Sequence, residues 1–162
     1  MAFMIVEIVL IQKYALFIGP SVYSISTVLL TLLLASGIGS RLSPNISAKV
    51  VFSAILLWLL ADILIFDRVI YALGHLSLVP RMSITALLLF PLGLFMGMPF
   101  PKAALRVGEL VDWGFTVNGA ASVLGSTAVM LVAFSWGFHA CLLIAALLYV
   151  GAGLMYRSVR YW

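Results

Sequence analysis

Apolar residues fall in six continuous runs, 2–18, 22–38, 50–66, 82–98, 115–134 and 138–156, separated by short stretches of Pro, Gly and charge. The runs do not alternate with period two, and each is too long for a ~10-residue barrel strand, so the pattern predicts helices. Most are about 17 residues, near the lower limit for crossing a ~30 Å hydrocarbon core. The expected fold is therefore all-α: an integral membrane helix bundle of about six transmembrane helices, forming a single transmembrane helical domain over residues 1–162.

The connections sharpen this division. Gly19-Pro20 closes the first run, because the residue before proline avoids helical geometry and proline suits a first helical turn. A polar loop covers 41–49, a mixed connection with Tyr71, Gly74, His75 and Pro80 covers 69–81, and Ser135-Trp136-Gly137 forms a tight turn. Residues 99–114 set Lys102, Arg106, Glu109 and Asp112 among apolar neighbours, which suits an interfacial segment in the headgroup plane.

Composition agrees with the pattern. Of 162 residues, 65% are apolar and 9% charged, and mean hydropathy is +1.25. Soluble domains carry roughly a quarter charged residues, and disordered chains carry few apolar ones. Both classes are excluded. The single cysteine, Cys141, allows no internal disulfide. The first residues, Met1-Ala2-Phe3-Met4, lack a basic region and Glu7 interrupts the run, so a cleaved signal peptide is not expected.

The net charge of +4 reads as loop and headgroup contacts rather than as a nucleic-acid surface. With six crossings, Arg41, Lys49, Lys102, Arg106, Arg157 and Arg160 fall on one side, and Arg68 and Arg81 on the other. The positive-inside rule then puts both termini in the cytoplasm, in a multi-pass protein of the cell's inner membrane. Trp113, Tyr156, Tyr161 and Trp162 would mark the cytoplasmic interface, and Tyr23, Tyr71 and Trp136 the outer one.

Soluble-enzyme motifs are missing. Gly37-Ile38-Gly39-Ser40-Arg41-Leu42 starts like a dinucleotide loop but lacks the third glycine and a preceding strand. Polar residues inside the spans are the candidates for function, since a charge in lipid is costly. They are Glu7, Gln12, Lys13, Asp62 and Asn118. Glu7 and Tyr14 share a helical face, whereas Lys13 lies ~120° from Glu7. Glu7 reads either as an ion or proton site or as a structural contact. The structural reading is preferred, because no second acid lies nearby, and it requires either a donor from a neighbouring span or a protonated carboxyl. Lys13 is expected to snorkel outward. Asp62, about one turn from the end of its span, is expected to be solvated or to pair with Arg68. Asn118 is expected to face other helices near the Pro99–Pro101 break.

Small residues at four-residue spacing, Gly93 with Gly97, Ala121 with Gly125 and Ser122 with Ser126, suit close helix packing. His75 and His139 are weak candidates for metal, haem or pigment ligation. Both fall near span ends and no facing histidine matches their depth, so no cofactor or metal is expected.

The order of several motifs carries a resemblance. Phe3-Met4-Ile5-Val6-Glu7-Ile8-Val9-Leu10-Ile11-Gln12-Lys13, Leu16-Phe17-Ile18-Gly19-Pro20 with Leu34-Ala35-Ser36-Gly37-Ile38-Gly39-Ser40, Pro91-Leu92-Gly93 with Met96-Gly97-Met98-Pro99-Phe100-Pro101, and Trp113-Gly114 with Val117-Asn118-Gly119-Ala120-Ala121-Ser122-Val123-Leu124-Gly125-Ser126 occur in sequence. Together they resemble the transmembrane portion of membrane-bound spermidine-synthase-like proteins. In that family, aminopropyl transfer belongs to a soluble Rossmann-like domain with no counterpart here, so the resemblance implies a membrane part without catalytic residues. The expected function is a non-catalytic integral membrane subunit that anchors or scaffolds a membrane or cytoplasmic partner, such as an accessory subunit of a bioenergetic assembly. A small permease for an organic cation such as a polyamine is the alternative, and a pigment- or haem-binding subunit a further one.

Overall fold

The computed structural model describes residues 1–158 and contains helices and turns only among them. Arg160, Tyr161 and Trp162, expected at an interface, lie outside the described residues. Helix α1 spans Ala2–Ile18, α2 Val22–Leu42, α3 Ala48–Leu73, α4 Leu78–Met96, α5 Pro99–Val107 and α6 Val111–Ser158, with 3-10 turns at Ser43–Asn45 and Gly108–Leu110. Of these, α2, α3, α4 and α6 are long and apolar enough to cross a membrane.

α6 is two antiparallel arms. Gly137 breaks it with φ +79°, a left-handed conformation that glycine adopts without a Cβ clash. Past that point the chain folds back. The Cys141 thiol reaches the Val129 carbonyl at 3.8 Å, although residues twelve apart on a straight helix would be separated by about 18 Å. The arms, 111–136 and 138–158, correspond to the fifth and sixth apolar runs.

Several boundaries differ from the sequence expectation. α3 continues seven residues beyond Phe66, since Asp67 and Arg68 do not break a helix and the first residue that does is Gly74. The connection expected over 69–81 therefore shrinks to 74–77, with Pro80 in the first turn of α4. α2 runs through Gly37 and Gly39 to Leu42 instead of stopping at Ile38. The 99–114 segment divides: α5 is a separate nine-residue helix, and Gly108 (φ +55°) turns the chain before α6 begins at Val111.

α1 is the innermost helix although it carries Glu7, Gln12 and Lys13. Val6, Val9 and Leu10 are fully enclosed, with Ile5, Tyr14, Phe17 and Ile18 close to it, and the helix packs mainly on α6 and α2. α2 and α4 form the closest pair. A Cβ on Gly39 would collide with the Leu94 backbone, and one on Gly97 with the Ser36 backbone; one on Gly93 would come within 2.9 Å of the Ala35 methyl. Absent side chains let the two backbones touch, and dispersion at that range holds the pair together. Between α3 and α4, the Trp58 indole N–H donates to the Leu88 carbonyl at 3.0 Å, three residues before Pro91.

Met1, Ser40, Gly97, Asn118 and Tyr149 gather at one end of the bundle, the α5 end. Alternating helix directions place Ile18 and Gly137 at the opposite end, the Gly137 end. Trp113 is exposed at the α5 end, while Tyr23, Tyr71 and Trp136 are exposed toward the other.

Candidate functional site

Lys13 and Asp62 meet inside the bundle. Lys13 occupies α1 five residues before its end, and Asp62 and Phe66 stand one turn apart on the face of α3 turned toward α1. The Lys13 ammonium lies 2.5 Å from Asp62 Oδ2 with both side chains only 4% exposed. Tyr14 donates its hydroxyl to Asp62 Oδ1 at 3.2 Å. The Phe66 ring covers the ammonium at 4.2 Å and meets the Tyr14 ring edge-to-face at 5.0 Å. Each carboxylate oxygen therefore has a donor, and the cation has a carboxylate and an aromatic face.

This arrangement corrects two expectations. Lys13 does not snorkel, because α1 is enclosed by its neighbours and the inward route leads to a counter-charge. Asp62 is neither solvated nor paired with Arg68, because α3 is longer than its apolar run and places Asp62 about 16 Å from the helix end. Either charge alone would be prohibitive in hydrocarbon; together they neutralise each other. One turn of α4 adds a second polar contact nearby. Arg81 donates from Nη1 to the Phe17 carbonyl at 2.9 Å, satisfying one of the last carbonyls of α1. Arg81 Nε and the Thr85 hydroxyl, one turn further on, are buried with no partner among the described residues.

The other candidates are dispersed. Glu7 is buried at 6% exposure and makes no hydrogen bond among the described residues, so of the two expectations the donor from a neighbouring span is not met and the protonated carboxyl stands. Gln12 Nε2 approaches the Met130 sulfur at 3.8 Å, a weak contact. Asn118 is exposed rather than enclosed, because the first arm of α6 presents that face outward; it does lie near the Pro99–Pro101 break. Gly125 packs against Met1, whose backbone oxygen a Cβ there would approach to 3.0 Å, and Ala121, Ser122 and Ser126 are half-buried beside it. His75 and His139 are exposed, and among the described residues no three His, Cys, Asp or Glu side chains cluster as metal ligands.

At the α5 end a cavity of about 650 Å³ opens between α1, α2, α4 and both arms of α6. Ser36, Ser40, Asn118, Ser122 and Tyr149 provide its polar side chains, with Met1 at its edge, and among the described residues no carboxylate or cationic side chain lines it. A smaller pocket of about 290 Å³, almost wholly apolar, lies on the other side of Asn118 against α5. The sequence offered one missed signal for the ion pair: Asp62 and Phe66 at i and i+4, facing a Lys-Tyr pair on another span. Compared with known proteins, the chain matches no family model, no curated protein and no solved structure.

Proposed function

We propose that the chain is a non-catalytic multi-pass subunit of the inner membrane, crossing six times with the α5 end in the cytoplasm, and that it holds a partner membrane protein against the first arm of α6. Asn118 carries this reading. Its side chain is exposed on the flank of the arm and makes no hydrogen bond among the described residues. It stands about 10 Å above the start of the helix, between the open cavity and the pocket against α5, and neither lining offers it a hydrogen bond. A polar group on a partner helix satisfies such an amide, and the small residues Gly114 and Gly119 beside it leave room for close approach. The resemblance to the membrane portion of spermidine-synthase-like proteins supports a role without chemistry of its own.

Photo-crosslinkers at Val117 and Leu124, both exposed on this arm, test the reading in native membranes. The expected result is a discrete adduct with one other membrane protein, whereas adducts with lipid alone contradict it. A second reading, a permease for an organic cation, is favoured by one observation: the Lys13–Asp62 pair closes the bundle toward the end opposite the open cavity. Accumulation of radiolabelled spermidine in proteoliposomes, lost in Asp62→Asn, would support that reading over the first.

A further inference from the structure

Two hydroxyls in the open cavity have no partner among the described residues. Tyr149 is only 5% exposed, yet its hydroxyl opens onto the cavity and makes no hydrogen bond there. The same holds for the half-buried Ser40 hydroxyl on α2. Two further hydroxyls are committed as donors only. Ser36 donates to the Leu33 carbonyl at 3.1 Å and Ser122 to the Asn118 carbonyl at 2.7 Å, each within its own helix. A hydroxyl has one proton and two lone pairs, so both serines keep lone pairs for a donor in the cavity. With no carboxylate or cationic side chain on its walls among the described residues, the cavity suits an uncharged group that both donates and accepts hydrogen bonds. An alcohol has that chemistry.

The space continues beyond these groups. Ser40, Phe100 and Pro101 also line a second cavity of about 630 Å³, so the two meet at the start of α5. The other walls of the second cavity are largely apolar and include Ala104, Leu105, Val111 and Phe115. α5 lies across this apolar extension and is held at both ends. Phe100 meets the Phe115 ring edge-to-face at 5.0 Å, and the Arg106 guanidinium stacks on the Tyr156 ring at 3.5 Å. A polar chamber that opens into an apolar one fits an amphiphile, with a few placed polar groups fixing its head. We propose that the bundle binds a single-chain lipid with an uncharged, hydroxyl-bearing head, of the monoacylglycerol type. The head sits between Ser40 and Tyr149, and the chain passes Phe100 beneath α5. This site is independent of the partner reading, because neither Ser40 nor Tyr149 belongs to the first arm of α6.

A monoacylglycerol with a diazirine in its acyl chain tests the site, using the whole protein in phosphatidylcholine vesicles. Photolysis should attach the label to residues 100–115 in preference to the other helices. Unlabelled monoolein should compete at about a fivefold lower concentration than methyl oleate, which has the same chain without a donor. Tyr149→Phe removes a hydroxyl that no described residue uses, so the fold should survive and monoolein should lose most of its advantage. Ser40→Ala should act in the same way. Tyr71→Phe, the same change at an exposed position toward the Gly137 end, should keep the advantage. Label spread evenly over the helices of the unaltered protein overturns the proposal, and so does equal competition by the two lipids. An advantage that survives both Tyr149→Phe and Ser40→Ala also overturns it. Oleate competing more strongly than monoolein overturns the assignment of an uncharged head.

Discussion

Breaking the Lys13–Asp62 pair is the most severe single perturbation the fold allows. With the charges 2.5 Å apart and both side chains 4% exposed, neither partner has a solvated position to retreat to. Asp62→Ala leaves the Lys13 ammonium buried with only the Phe66 ring, and also deprives the Tyr14 hydroxyl of its acceptor. Stranding one member of a buried pair costs about 3–5 kcal/mol. Lys13→Met leaves the carboxylate with the Tyr14 hydroxyl alone and should cost a similar amount. The double variant Lys13→Met with Asp62→Leu removes both charges and keeps the volume, so it should recover most of that loss. Equilibrium unfolding in mixed micelles of the four proteins gives the coupling energy as a double-mutant cycle. Single losses under about 1 kcal/mol that simply add in the double variant would refute the reasoning, since they describe a solvated, uncoupled pair.

Tyr14→Phe keeps the ring contact with Phe66 but loses a hydrogen bond to a charged acceptor, and should cost about 1.5–3 kcal/mol in the same assay. Gly97→Val should disrupt the α2–α4 contact and lower the yield of folded protein, whereas Gly37→Ala, whose Cβ meets nothing within 4 Å, should leave it unchanged by size-exclusion chromatography. Glu7→Gln should leave assembly intact with little change in melting temperature, because the carboxyl has no donor among the described residues to lose; loss of the assembly would give Glu7 a role the structure does not show. Cysteine accessibility in cells should find residue 75 labelled from outside and residue 45 only after permeabilisation, and the reverse pattern would invert the proposed orientation.

The helical class was legible because continuous apolar runs of about 17 residues neither alternate as half-buried strands do nor break as loops do. The reversal at Gly137 was legible too, since glycine interrupts the longest apolar stretch beside Trp136. Helix ends were less so: the apolar run of α3 stops at Phe66 but its backbone has no reason to unwind before Gly74, and hydropathy reports burial in lipid rather than helical geometry. Of the polar candidates, composition singled out Lys13 and Asp62 as individuals. Their pairing depends on the distance between α1 and α3, 49 positions apart in sequence, and one-dimensional patterning holds no such distance. The same limit concealed the outward placement of Asn118, because a helix with polar and small residues on one face gives no sign of whether its own chain covers that face.

The central claim is that the Asn118 flank of α6 is covered by a partner. The direct measurement is the size of the complex released from native membranes by a mild detergent, for the unaltered protein and for Asn118→Leu. The account predicts that the unaltered chain migrates in one complex well above its 17.6 kDa mass, and that Asn118→Leu migrates as a folded monomer. If both proteins run as the same monodisperse monomer, the flank faces lipid and the claim is contradicted.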